Sequence, residues 1–124
     1  MTEDKNQILN VQPHSDEAEV AVLGSMLASK DAVSTSFQWL TPDHFYKPGN
    51  GKIFSVMQKL FDLGDPIDTV SVIDLLKKNK DLKSVGGAYY VTGLVESVPT
   101  AAHAERYSKI VLEKALLRRL IELS

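Results

Sequence analysis

Apolar residues recur along this chain at spacings of three and four, the period of an amphipathic helix, and no stretch alternates in the manner of a strand. Residues 1–13 read as a flexible lead that ends at Pro13. Ser15 then offers an N-cap, with Asp16, Glu17 and Glu19 near the positive end of a helix dipole. Behind it Ala18, Val22 and Met26 fall four apart, flanked by Leu23 and Leu27, and the stripe fades at Ser29-Lys30-Asp31. Residues 32–40 continue more weakly, because Ser34, Thr35 and Ser36 are poor helix formers, although Val33, Phe37 and Leu40 keep helical spacing. Thr41-Pro42-Asp43 opens a short turn through His44 and Phe45.

Pro48-Gly49-Asn50-Gly51 predicts a loop, followed by the clearest helix of the first half, with Ile53, Phe54, Met57, Leu60 and Phe61 on one face and a stop at Gly64. Asp65-Pro66-Ile67-Asp68 is a turn, and Asp68 can cap a helix in which Val72, Ile73 and Leu76 face inward while Lys77, Lys78 and Lys80 face water. Val85-Gly86-Gly87 is a second break, where one or both glycines take a positive φ. A short helix over residues 88–97 carries Tyr90, Val91, Leu94 and Val95, and Pro99 ends it. Thr100 caps the last and longest segment. The prediction is an all-α fold, a small globular bundle of about six helices, with residues 14–98 as the globule and 99–124 as the start of a helical arm.

The last segment carries two apolar stripes. At about 100° per residue, Tyr107, Ile110, Val111, Leu117 and Ile121 cluster on one side and Leu112, Leu116, Leu120 and Leu123 on roughly the opposite side. One stripe can pack on the domain's own body. The other needs either burial within a fully covered central helix or a second helix, from a continuation of the chain or from another subunit. The run to Glu122-Leu123-Ser124 holds no glycine or proline stop signal, which favours a helix cut short of something it was built to join.

Composition narrows the function classes. A chain of 124 residues with 44% hydrophobic and 24% charged residues suits one globular domain. No cysteine is present, so disulfides and thiolate metal sites are excluded, and the lack fits a reducing cytoplasm. No apolar run approaches the length of a membrane span, and the start lacks the pattern of a signal peptide. A net charge of −2 argues against a stand-alone grip on nucleic-acid phosphates. Gly51-Lys52 superficially resembles a phosphate loop, but Tyr46 and Ile53 stand where glycine and Ser or Thr are required. His14, His44 and His103 are dispersed, and Asp62, Asp65 and Asp68 flank a turn in place of forming a calcium loop. A helix-turn-helix reader is formally compatible with the helices around residues 65–68, but its recognition helix would begin beside two carboxylates.

An ordered series of segments completes the reading: Glu17-Ala18-Glu19 with Ala21-Val22-Leu23-Gly24-Ser25; His44-Phe45-Tyr46; Ile53-Phe54 and Leu60; Gly64-Asp65-Pro66-Ile67-Asp68; Val85-Gly86-Gly87-Ala88-Tyr89-Tyr90; and Tyr107-Ser108-Lys109-Ile110-Val111 through Lys114 and Arg118. In order and spacing this series resembles the N-terminal domain of the DnaB-type replicative DNA helicases. The resemblance implies a bacterial, cytoplasmic parent: a hexameric ring that moves on single-stranded DNA. ATP and magnesium would be used in a RecA-like C-terminal motor absent from this chain. It implies a helical globule followed by a hairpin that pairs between subunits, and an N-terminal collar that binds primase and can meet a helicase loader. DNA would be contacted through the missing motor only. On this comparison the segment itself holds no cofactor, metal or catalytic residue. Leu112, Leu116, Leu120 and Leu123, with Arg119 at the edge, become the expected self-association face. Tyr107, Ile110, Leu117 and Ile121 become the intramolecular face, although the two assignments are interchangeable at this level. The competing reading is an unrelated helical adaptor that binds another protein.

Overall fold

Ser29 closes one helix and opens the next. In the computed structural model, which describes residues 11–124, Ser15 Oγ accepts from the Ala18 N–H at 3.1 Å and starts α1 (Asp16–Ala28). The Ser29 N–H bonds to the Ser25 carbonyl, while Ser29 Oγ accepts from the Ala32 N–H at 3.3 Å and starts α2 (Lys30–Trp39). The fading of the stripe at this point therefore marks a corner without a loop. The run of three hydroxyl residues inside α2 is overridden by packing: Val33 and Ser36 are buried, and the Phe37 ring meets those of Phe54 and Phe61 edge-on at 5.3 Å each. Of the predicted lead, residues 1–10 lie outside the described residues.

A 3₁₀ turn (Pro42–His44) leads to α3 (Pro48–Leu63), and here the sequence prediction needs correction. Pro48-Gly49-Asn50-Gly51 is not a loop but the first turn of the helix, with proline where its missing N–H costs nothing. The glycines answer to neighbours: a Cβ at Gly49 would lie 3.1 Å from Val85 Cα, and one at Gly51 would lie 2.9 Å from the Pro42 carbonyl oxygen. The helix ends as predicted at Gly64, whose φ of 73° permits paired bonds from Gly64 N–H to Phe61 and from Asp65 N–H to Leu60.

Asp68 Oδ1 accepts from Ser71 N–H at 2.8 Å and caps α4 (Thr69–Lys78), a bond that holds its carboxyl below the usual range. Both Gly86 and Gly87 take positive φ, at 117° and 79°, before α5 (Gly87–Ser97). Thr100 Oγ1 caps a second 3₁₀ turn (Ala101–His103), and α6 (Ala104–Leu123) follows. The described residues thus form six α-helices and two 3₁₀ turns, with no strand among them. Helix α1 is central, packed on α2, α3, α5 and α6. Leu23, Met26, Ile53, Phe54, Leu76 and Leu94 lie at the core.

Glu19 lies in the first turn of α1 as read from sequence, but it is also 1% exposed and joins three elements. Its Oε2 accepts from Tyr46 N–H at 2.8 Å, and Oε1 accepts from Asn50 Nδ2 at 2.9 Å and Lys47 N–H at 3.4 Å. Lys47 is the N-cap of α3 and its side chain makes no cap bond, and the Glu19 carboxylate accepts from the Lys47 N–H itself and sets a negative charge at the start of the helix. The Tyr90 hydroxyl donates to Asn50 Oδ1 at 2.6 Å and carries the network to α5.

Candidate protein-interaction surface

The stripe of α6 that meets the body is made of small side chains. Ala104, Ser108 and Val111 are buried and Ala115 is half-buried. With Tyr107 at zero on that wheel they centre at about 70°, between the two stripes expected from sequence. Apolarity marks the larger residues on either flank, whereas close approach to α1 and α2 selects Ala and Ser; of the expected intramolecular face, Tyr107 and Ile110 do pack against the core margin. Tyr107 and Ile110 are half-buried and line an open groove of about 530 Å³ between the start of α1 and the end of α5. Leu112, expected on the self-association face, is half-buried against the core margin.

Beyond Ala115 the helix outruns the body. Its 20 residues span about 30 Å, and among the described residues the last turns are exposed over most of their surface. Leu116, Leu117, Leu120, Ile121 and Leu123 are 55%, 39%, 64%, 49% and 71% exposed. Leu117 and Ile121 therefore do not form the intramolecular face assigned to them. Within residues 116–123 the two expected stripes merge into a single apolar sector about 160° wide, running from Leu123 through Leu116, Leu120 and Leu117 to Ile121. Arg118, Arg119 and Glu122 all fall on the opposite side. A shallow groove of about 270 Å³ runs along the apolar side, lined by Leu112, Leu116, Leu117 and Leu120 with Lys109 and Glu113 at its rim. A contiguous exposed patch of this kind marks a contact surface, since covering each leucine is worth roughly 1.5–3 kcal/mol.

The polar side of the arm faces the 3₁₀ turn. His44 Nδ1 accepts from the Thr41 N–H at 3.0 Å, which requires the neutral ring, and the His44 carbonyl accepts from Arg118. Burial lowers the pKa of His44 from its ordinary 6.5, against the attraction of Asp43 and with the repulsion of Arg118. Below that value the unfolded chain takes up the proton before the folded one does, so this contribution to stability is complete above pH 6.5 and is lost as the pH falls. The melting temperature is expected to drop between about pH 7 and about pH 5, with a shallower drop in His44→Gln. Parallel slopes for the two proteins in thermal melts would remove His44 as a source.

Among the described residues no helix is long and apolar enough to cross a membrane. The family model described as the DnaB-like helicase N terminal domain matches residues 11–113. The chain is 45% identical over 109 residues to the replicative DNA helicase DnaC of Bacillus subtilis, covering 88% of this chain and 24% of that relative. It is 44% identical over 112 residues to the replicative DNA helicase DnaB of Mycobacterium leprae, covering 90% and 18%. Among solved structures, the N-terminal domain of DnaB helicase from Mycobacterium tuberculosis matches with a TM-score of 0.88 and 43% identity, over 90% of this chain and 81% of that one. The chain spans about a fifth to a quarter of the length of the curated relatives it matches.

Proposed function

The chain belongs to the DnaB-like helicase N-terminal domain family, and from that premise we propose that it is the assembly and protein-interaction domain of a hexameric replicative DNA helicase. Subunits pair through the arm of α6 to build the N-terminal collar of the ring. Primase docks on that collar, a loader can meet it, and ATP-driven unwinding belongs to a motor elsewhere in the parent protein. The observation that supports this reading is the exposed apolar sector of residues 116–123, projecting past the globule with its charges turned away.

Sedimentation equilibrium across a wide concentration range tests it. The chain is expected to show reversible dimers, and the double substitution Leu116→Asp and Leu120→Asp to weaken them by at least about a hundredfold, the loss of two buried leucines. Because both side chains are exposed in the single chain, the melting temperature of the monomer should change little. A strict monomer at millimolar concentration, or dimers indifferent to both aspartates, contradicts the assignment. Retention of the cognate primase by an immobilised chain would test the docking role separately.

A further inference from the structure

One residue ties the arm to the body. Arg118 Nη1 donates to the Pro13 carbonyl at 2.7 Å and Nη2 to the His44 carbonyl at 2.8 Å. Its guanidinium carbon lies 5.4 Å from the centre of the Tyr46 ring, and that ring stacks on His14 at 4.0 Å. The Tyr46 N–H is held in turn by the buried Glu19 carboxylate. Within residues 116–124, Arg118 is the one residue that is not exposed. Past Ala115 no other hydrogen bond or ion pair among the described residues links the arm to the globule, and an unpacked helix end frays or swings unless something fixes it. A planar fork bonded to two carbonyls from separate stretches of chain fixes direction, where a single bond would fix only distance.

We propose that Arg118 is the positioning residue of the arm. By bridging the lead at Pro13 and the 3₁₀ turn at His44, with its guanidinium over the Tyr46 ring, it sets the direction in which residues 116–123 leave the globule. The segment 11–14 thereby becomes a strut for the arm. The arm's use in pairing rests on the self-association reading, and Arg118 serves it by orienting the apolar sector before the partner arrives, so that less order has to be imposed on contact.

The chain has no cysteine, so two introduced ones give a single labelled pair. Spin labels at Ser55→Cys, exposed on α3, and Glu122→Cys, on the polar side of the arm, report the arm's direction within one chain. Diluting labelled chain into an excess of unlabelled chain keeps the readout intramolecular. With Arg118 present the distance distribution should be narrow. Arg118→Ala should broaden it, Arg118→Lys should lie between, because an ammonium cannot reproduce the fork, and dimer affinity in Arg118→Ala should fall by about tenfold.

A distribution in Arg118→Ala as narrow as the parent's overturns the proposal, and so does a lowered melting temperature with an unchanged distribution, which would make Arg118 a stability residue alone. Should Arg118→Ala fail to fold, Arg118→Lys decides by the same comparison. The paired Leu116→Asp and Leu120→Asp substitutions leave this distance unchanged. Failure of pairing and failure of positioning are thus read separately.

Discussion

Glu19→Ala is expected to lose about 3–5 kcal/mol of stability, seen as a large fall in the urea midpoint with little change in slope. The magnitude follows from what the carboxylate leaves behind. Three donors, the N–H groups of Tyr46 and Lys47 and the Asn50 amide, converge on its oxygens, and Asn50 is itself 1% exposed. A buried donor deprived of its acceptor costs about 1–3 kcal/mol, and water does not readily replace a carboxylate sealed among α1, α3 and the chain before α3. The start of α3 would also lose the negative charge that complements its exposed N–H groups, with no side-chain cap at Lys47 to take over. Glu19→Gln should lose roughly half as much, because one oxygen remains to accept while its NH₂ opposes one of the donors. If Glu19→Ala unfolds within about 1 kcal/mol of the parent, the Glu19 hub is not what holds α1 to α3.

Features that depend on near neighbours were legible in the sequence. Ser15, Asp68 and Thr100 act as caps because each bonds two or three residues ahead, and the Gly64 stop follows from a left-handed backbone that only its own helix demands. The ordered series of short segments was enough to indicate the family. What escaped depends on partners remote in the chain. Gly49 and Gly51 read as loop glycines, yet Val85 and Pro42 press against them and the backbone there is helical. Glu19 is a first-turn acid as read, but its bonds to Tyr46 and Asn50 appear only once those residues are folded over it.

The arm shows the same limit in a different form. Large apolar residues are the loudest signal on a helical wheel, but beyond Ala115 in α6 they mark the surface left free. The surface used is marked by Ala104, Ser108 and Ala115, spaced at multiples near the helical repeat. Small residues at that spacing, taken as a request for close helix contact, would have placed the core side correctly. Ser36 and Ser108 are both buried with no hydrogen-bond partner among the described residues, consistent with side chains selected for size in tightly packed positions.

Gly24→Ala and Gly93→Ala should shift stability in opposite directions although both place alanine inside a helix. Helix propensity alone favours alanine over glycine by about 1 kcal/mol, so on that ground each should stabilise. At Gly93, in α5, an added Cβ meets nothing within 4 Å, and the gain should appear nearly in full. At Gly24, in α1, the methyl would overlap the Leu94 carbonyl oxygen and lie 3.0 Å from its carbon and 3.3 Å from Val98 Cβ. A clash with backbone cannot be relieved by a rotamer. The two helices must part, and with them the packing of Leu23, Val91 and Leu94, which is fully buried where α1 crosses α5. Overpacking of this kind costs about 1–3 kcal/mol when side chains can adjust and more when they cannot, so a net loss of about 2–4 kcal/mol is expected after the propensity gain is credited. Urea unfolding of the two variants in parallel measures the difference directly. Equal stabilities would mean that the α1–α5 crossing yields easily, and the central place of α1 in the bundle would then rest on its other three neighbours.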